Sequence, residues 1–150
     1  MKVSLLDVNV LVALAWPSHI HHQQAHHWFR RNRVQGWATC SITQCGFIRL
    51  SSNSNIIREA VSPLEAITLL KEITQLEGHL FWKDTISITE KFVPVDLLVG
   101  HRQVTDAYLL GLAIAHKGQL VTLDKKLSGL LKKHSPYEER LHIISAHYVL

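Results

Sequence analysis

Short apolar segments that end at aspartates are the feature that most limits how this chain can fold. Asp7 follows the apolar run at 2–6, Asp124 follows the run at 119–123, and Asp106 opens a long apolar helix. Such short runs are typical of strands buried on both faces of a parallel sheet. Because parallel strands end at one shared edge, where ligands bind, we expect the three carboxylates to lie close together.

Three carboxylates at one edge would form a hard, oxygen-rich site that suits Mg²⁺ or Mn²⁺. A divalent metal in such a site indicates phosphate chemistry. Each residue also has an ordinary structural interpretation: Asp7 and Asp124 as helix N-caps, and Asp106 as a first-turn carboxylate beside a Thr105 cap. The metal site is favoured because one hypothesis then accounts for all three positions.

Strand and helix patterns alternate along the chain, which predicts an α/β fold with a mainly parallel central sheet of four to five strands. The predicted strands are 2–6, 37–40, 79–82, 119–123 and 141–145. The predicted helices are 8–15, one around 25–29, 43–50, one that starts at 62, 105–116 and 125–133. No internal repeat or interdomain linker is seen, so we predict a single domain over 1–150.

The start of the fourth predicted helix has strong local signals. Ser62-Pro63-Leu64-Glu65 combines a capping box with proline at the first helical position. Gly78 is expected to end the helix. The helical spacing predicts one buried face, formed by Leu64, Ile67, Leu70, Ile73 and Leu76.

Composition limits the class of protein. With 150 residues and 47% hydrophobic residues, the chain is long and apolar enough to form a real core. Its net charge of +4 permits a polyanionic partner without requiring one. Two cysteines, Cys40 and Cys45, are too few for a disulfide framework, so free thiols in the cytoplasm are expected. Asp7 and Asn9 interrupt the N-terminal apolar stretch, so we expect neither a signal peptide nor a membrane span.

Three ordered motifs resemble the PIN-domain family. They are LLDVNVLVALAWP at 5–17, TQCGFIRLSSN at 43–53 and VTDAYLLGLAIAHKGQLVTLDKKL at 104–127. More closely, they resemble VapC-type toxins of bacterial and archaeal toxin–antitoxin modules. The resemblance covers nearly the whole chain, with the least signal at 54–100, and it implies one PIN-like domain with a three-layer α/β/α fold.

The resemblance also implies an activity, a cofactor and partners. The activity is a Mg²⁺- or Mn²⁺-dependent endoribonuclease whose products have 5′-phosphate and 3′-hydroxyl ends. Asp7, Asp106 and Asp124 match the family's first, third and fourth acids, so they are the expected metal ligands and catalytic residues. The expected partners are the RNA substrate, a second copy in a homodimer, and a VapB-type antitoxin that inserts a segment over the active site.

Four polar residues are candidates to support the acids. Asn9, Thr105 and Thr122 adjoin the acid motifs and are expected to orient a carboxylate or water, with capping or turn roles as the alternative. Gln44 stands where relatives of this type usually carry a glutamate. The site then has one negative charge fewer, so we expect one well-bound metal and a weaker second one.

Basic residues and histidines suggest further sites. Arg49 matches the family's usual arginine, as an RNA contact or in an internal salt bridge. Arg102 and Lys125 adjoin the acid motifs and are the preferred phosphate contacts, ahead of Lys126, Lys132 and Lys133. Five histidines at 19, 21, 22, 26 and 27 suggest zinc, but no H-E-x-x-H motif and no nearby cysteine accompany them, so a solvated helix face is favoured.

Three alternatives to an active nuclease are open. A catalytically weakened PIN domain that only binds nucleic acid or protein is the first, because Gln44 removes a charge. A phosphatase of the haloacid dehalogenase type would require a second aspartate where Asn9 stands. A nucleotide-binding protein would require a G-x-G-x-x-G motif or a P-loop, and the sequence has neither.

Overall fold

Five strands form the central sheet of the computed structural model, which describes residues 2–145. In chain order they are β1 (Ser4–Leu6), β2 (Trp37–Cys40), β3 (His79–Trp82), β4 (Gln119–Thr122) and β5 (Leu141–Ile143). Their order across the sheet is β3-β2-β1-β4-β5, and every neighbouring pair is parallel. The predicted parallel sheet is confirmed, and the strand order reverses between β1 and β4.

Five α-helices cover the two faces of the sheet. They are α1 (Val8–Ala15), α2 (His22–Asn32), α3 (Ser41–Ser51), α4 (Pro63–Ile73) and α5 (Val104–Ala115). Alternate strand residues face opposite sides. Leu5 and Leu120 therefore pack against α5, whereas Leu6 and Val121 pack against residues of α1, α2, α3 and α4. This arrangement confirms the three-layer α/β/α fold.

Helix α5 is the most deeply buried helix of the structure. All of its residues from 107 to 113 are buried, as its nearly continuous apolar sequence predicts. After α5 the chain turns at Lys117 and Gly118 into β4. A Cβ atom on Gly118 would lie 2.4 Å from the Val3 carbonyl oxygen, so only glycine allows the chain to pass so close to β1.

The predicted burial of the fourth helix is only partly correct. Ser62 caps α4 as expected, because its hydroxyl accepts a hydrogen bond from the Glu65 N–H at 3.1 Å. However, Leu64, Ile67 and Leu76 are 73%, 36% and 43% exposed. Ala66 and Leu70 are buried, and the predicted Ile73 packs against the core while partly exposed. The helix ends at Ile73 with Thr74 as its C-cap, so the predicted end at Gly78 is wrong.

Two further segments differ from the predicted elements. Residues Lys125–Leu130 form a 3₁₀ helix and not the start of an α-helix over 125–133. The Thr105 cap is also wrong, because α5 begins at Val104 and its N-cap residue is Gln103. Within residues 2–145, none of the helices combines the length and the apolar character needed to cross a membrane.

Candidate active site

Two of the three aspartates lie where the strand order reverses. Asp7 follows β1 directly, and its N–H donates to the Val121 carbonyl of β4 at 2.9 Å. Asp124 follows β4 after one intervening residue. Open parallel sheets bind ligands in the crevice at such a reversal. Asp106 reaches the same crevice from the first turn of α5.

The hydroxyl of Thr122 organises the acids through three hydrogen bonds. It donates to Asp7 Oδ2 at 2.8 Å. It accepts from the Asn9 amide at 3.1 Å and from the Asp124 N–H at 3.1 Å. Thr122 is fully buried, and one donor and two acceptor sites are all a hydroxyl has. This one side chain therefore sets the relative positions of Asp7 and Asp124.

Asp7 and Asn9 are held by backbone groups as well. The second oxygen of Asp7 accepts from the Val8 N–H at 2.8 Å, and the Asn9 carbonyl oxygen accepts from the Leu123 N–H at 3.1 Å. Asn9 thus joins the start of α1 to the end of β4. Thr105 differs: it is exposed, and its side chain makes no hydrogen bond with the residues the structure describes.

Within residues 2–145, none of the three aspartates forms an ion pair with a lysine, an arginine or a histidine. Burial, followed by the charges of Asp7 and Asp124, raises the pKa of Asp106 to about 6. Burial also raises the pKa of Asp7; the hydrogen bonds from Thr122 and Val8 oppose this shift, and the Asp124 charge adds to it. Asp106 therefore senses both other carboxylates, and Asp7 senses Asp124, as like charges, which is the electrostatic condition that a bound cation relieves.

The oxygen donors of the site are of the type that a divalent metal prefers, but they do not converge on one point. Within residues 2–145, no three His, Cys, Asp or Glu side chains stand close enough to enclose an ion. Both oxygens of Asp7 are bound by donors, and Asp124 Oδ1 accepts from the Lys126 N–H. The two oxygens of Asp106 have no hydrogen bond to a described residue. An all-carboxylate donor set of this kind suits Mg²⁺ or Mn²⁺.

A cavity of about 160 Å³ adjoins Asp106 and Asp124. Its walls also contain Arg102, Gln103, Lys126, Leu127 and Leu130. The cavity therefore places two carboxylates, which can hold a cation, beside two cationic side chains, which can bind a phosphate ester.

Lys126 takes the place that the sequence led us to expect for Lys125. Lys125 is exposed and is not part of the wall, whereas Lys126 lines the cavity. The cause is the Asp124 side chain, which accepts the Lys126 N–H and tightens the turn. Aspartate commonly bonds the backbone two residues on, so this turn was a usable sequence signal. Gln103 also lines the cavity, and no pattern in the sequence indicated this position.

Comparison with known proteins supports the fold. Residues 4–132 match the model of the PIN domain. This chain belongs to the PIN domain family.

Several relatives named as VapC ribonucleases are similar over most of this PIN domain. Ribonuclease VapC38 of Mycobacterium tuberculosis (strain ATCC 25618 / H37Rv) is 47% identical over 122 residues, which are 81% of this chain and 85% of the relative. Ribonuclease VapC39 of the same strain is 44% identical over 126 residues, covering 83% and 91%. Ribonuclease VapC44 is 42% identical over 137 residues, covering 87% and 96%. The resemblance to VapC-type proteins is confirmed.

Gln44 of this PIN domain is bound to the sheet. Its amide donates to Thr39 Oγ1 at 3.1 Å, and Thr39 Oγ1 lies 2.8 Å from His79 Nε2. Burial lowers the pKa of His79, so its neutral ring can accept a hydrogen bond from the Thr39 hydroxyl. No hydrogen bond between described residues joins Gln44 to any of the three aspartates.

The remaining candidates lie outside the cavity walls. Arg49 is exposed in the last turn of α3 and forms no ion pair within residues 2–145. The alternative of an internal salt bridge is therefore not observed. His22 and His26 bond the Ala13 and Leu14 carbonyls at 2.7 and 2.9 Å. They cap the end of α1, so the solvated face predicted for these histidines is wrong at these two positions.

The raised pKa of Asp106 predicts a pH-dependent stability of the metal-free PIN domain. Between the ordinary value near 3.8 and about 6, the folded state binds more protons than the unfolded state. Stability therefore falls as pH rises through this window, and the penalty is complete above it. Asp106→Asn removes the penalty, and we expect a gain of roughly 1 kcal/mol at pH 7.5, a value already reduced for solvent screening.

Urea unfolding in EDTA at pH 4.5 and 7.5 measures this effect. Glu77→Gln, which neutralises an exposed carboxylate, is the control and should change little. Equal stability of Asp106→Asn and the unsubstituted protein at pH 7.5 would show that neither burial nor the neighbouring charges penalise the ionised Asp106.

Proposed function

We propose that this PIN domain is a VapC-like toxin, a metal-dependent endoribonuclease that cleaves RNA. The observation that carries the proposal is the crevice at the β1–β4 reversal, where Asp106 has a pKa near 6 because it is buried beside two other carboxylates. The relatives named as ribonucleases support the same activity. Phosphodiester hydrolysis is the reaction that such a carboxylate site with a divalent ion performs.

Each residue of the crevice has a defined task in this mechanism. Asp7, Asp106 and Asp124 would hold Mg²⁺ or Mn²⁺, which supplies a bound water of lowered pKa and positive charge against the phosphate. Thr122 fixes the Asp7 carboxylate. Two cations of the cavity, Arg102 and Lys126, bind phosphate oxygens of the RNA. The products expected from the family have 5′-phosphate and 3′-hydroxyl ends.

Cleavage of a mixed RNA pool tests the proposal. Purified, antitoxin-free protein is incubated with Mg²⁺, with Mn²⁺ or with EDTA, and the fragments are sequenced at both ends. Internal cuts that require a metal are expected. Cleavage in EDTA would show that the reaction does not require a metal. If the folded protein makes no cut with either metal, the binding-module alternative is favoured.

A weakened PIN domain is the second candidate because of Gln44. A glutamate there adds a negative charge to the helix whose Gly46 packs against Val8, the residue after Asp7. Two unit charges about 4 Å apart interact by roughly 4 kcal/mol at an effective dielectric near 20. We expect Gln44→Glu to tighten Mn²⁺ binding by about tenfold and to increase cleavage. Titration calorimetry at constant ionic strength measures the affinity.

Gln23→Glu is the matched control, because it adds the same charge on the exposed side of α2. If Gln44→Glu and Gln23→Glu bind Mn²⁺ equally, position 44 does not contribute to the metal site. Gain of cleavage only in Gln44→Glu would identify the natural protein as a weakened nuclease.

We also propose a homodimer, supported by the apolar side of α4. Leu64 is 73% and Ile67 is 36% exposed, and Glu65 and Lys71 lie equally far on either side of Thr68. In an antiparallel pair of α4 helices, each Glu65 would therefore meet a Lys71 of the other copy. Sedimentation should give a dimer that Leu64→Lys dissociates and that Gln35→Lys leaves intact. A monomeric unsubstituted protein would contradict this proposal.

The third proposed partner is a VapB-type antitoxin, on the basis of the VapC names of the relatives. Its addition to the RNA assay should stop cleavage. An antitoxin that binds the protein and leaves cleavage unchanged would not occupy the site.

A further inference from the structure

A second, larger groove lies beside the acid cavity. It has a volume of about 570 Å³ and runs between two loop segments, residues 88–97 and 130–137. We call it the flanking groove. Leu130 belongs to the walls of both the flanking groove and the acid cavity. Leu130 is buried, at 2% exposure, so the two spaces meet at one side chain beneath the surface.

The flanking groove has a fixed position relative to the acids. Its Val93 is 3% exposed and packs against Gly111 of α5, where a Cβ atom would approach Val93 Cγ2 to 2.8 Å. The same helix carries Asp106 in its first turn. One wall of the groove and one catalytic acid are thus attached to the same rigid element.

The walls combine rings with positive charges. Phe92 and Tyr137 are partly exposed aromatic side chains, one on each loop. Lys91 and Lys133 are exposed cations, also one on each loop. Proteins that bind single-stranded nucleic acid without base readout use this pairing, because bases stack on rings while cations contact the phosphates.

The carboxylates of the groove do not cancel these cations. Asp96 is 3.7 Å from Lys132 in a pair that joins the two loops. Both side chains are well exposed, so the pair contributes at most about 1 kcal/mol and opens readily. Glu90 remains as one unpaired acid against Lys91 and Lys133, which leaves a positive balance before His134 is counted.

We propose that the flanking groove binds single-stranded RNA next to the scissile phosphate. The strand continues from the acid cavity past Leu130, its bases stack on Phe92 and Tyr137, and its phosphates contact Lys91 and Lys133. This inference rests on the proposed nuclease function. It makes the loop at 88–97, in the part of the chain with the least family signal, a wall of the substrate site.

RNA binding by cleavage-deficient protein tests the proposal. The background is Asp7→Asn, the probes are a fluorescein-labelled 12-nucleotide oligouridylate and the dinucleotide UpU, and binding is followed by anisotropy at several salt concentrations. A Lys133→Gln/Tyr137→Leu variant should bind the 12-mer about tenfold more weakly, with the salt slope reduced by about 0.7 for one lost phosphate contact. Its UpU affinity should stay unchanged. Lys91→Gln on the opposite wall should reduce the salt slope equally.

The control is Arg30→Gln, which removes one exposed charge on α2, on the face of the sheet opposite α5. A 12-mer affinity and salt slope equal to those of this control would overturn the proposal, as would equal losses for both probes. Unchanged RNA binding with weaker antitoxin binding would overturn it too and make the groove a peptide site. Because the readout is binding, absence of cleavage by unsubstituted protein contradicts the nuclease function alone, whereas absence of 12-mer binding contradicts the groove.

Discussion

Asp7→Asn is expected to lower metal-dependent RNA cleavage by about 10³-fold or more and to leave the protein folded. Asp7 is 6% exposed, and its two oxygens accept from the Val8 N–H and the Thr122 hydroxyl. Asparagine offers one oxygen and no negative charge. The metal then loses a charged ligand. Whichever Asp7 oxygen the amide –NH₂ replaces, it faces another donor, either the Val8 N–H or the Thr122 hydroxyl.

The stability of the same variant distinguishes a functional acid from a structural one. Burial raises the pKa of Asp7, so its charged form is unfavourable in the folded state and the neutral amide removes that penalty. The lost hydrogen bond to Thr122 opposes this gain. We therefore expect a thermal midpoint close to that of the unsubstituted protein, measured by circular dichroism in EDTA.

Asp84→Asn is the matched control for cleavage. Asp84 also follows a strand end, that of β3, but it is exposed and accepts only from the Tyr108 hydroxyl, at 3.1 Å. Its substitution should leave the rate within a few-fold. If Asp7→Asn retains the rate of Asp84→Asn, the acids at the reversal are structural caps.

The sequence predicted the strands and the position of the acids because both follow from local patterns. A strand buried on both faces needs a short apolar run, and a parallel sheet places all strand ends at one edge. Asp7 and Asp124 could therefore be brought to one crevice without a structure. The role of Thr122 could not be worked out in this way. Its bond to Asp7 spans 115 residues and exists only because β4, and not another strand, neighbours β1.

The errors share a physical cause. The apolar spacing in α4 shows which side chains prefer burial, but it does not show whether another element packs against them. Leu64 is exposed because no other element of the single chain covers it. Likewise, the helical propensity of Lys125–Leu130 does not reveal that the Asp124 cap tightens the segment into a 3₁₀ helix. In both cases the decisive contact lies outside the segment. For α4 it is a missing neighbour, and for Lys125–Leu130 it is the preceding Asp124, a turn signal that the helical pattern outweighed.

Gly78→Ala is expected to destabilise the fold by about 2–4 kcal/mol. Gly78 has a φ of 92°, a conformation that costs other residues roughly 1–2 kcal/mol. Its added Cβ would lie 2.5 Å from the Arg33 carbonyl oxygen, which is backbone and cannot rotate away. The Gly78 carbonyl also accepts from the Trp37 N–H at 3.0 Å. Relief of the clash would therefore displace the start of β2.

Urea unfolding with Gly100→Ala as control measures this cost. Gly100 has extended backbone at φ −156° and no atom within 4 Å of an added Cβ, so alanine there should be neutral or slightly stabilising. Equal stability of the two variants would mean that the Arg33 turn moves freely. Gly78 precedes β3, at the sheet edge opposite the acids, so below its melting point Gly78→Ala should cleave RNA normally. Asp7→Asn should keep the stability and lose cleavage. Gly78 lies at the N-terminal ends of the strands, whereas Asp7 lies at their C-terminal ends, where the crevice is.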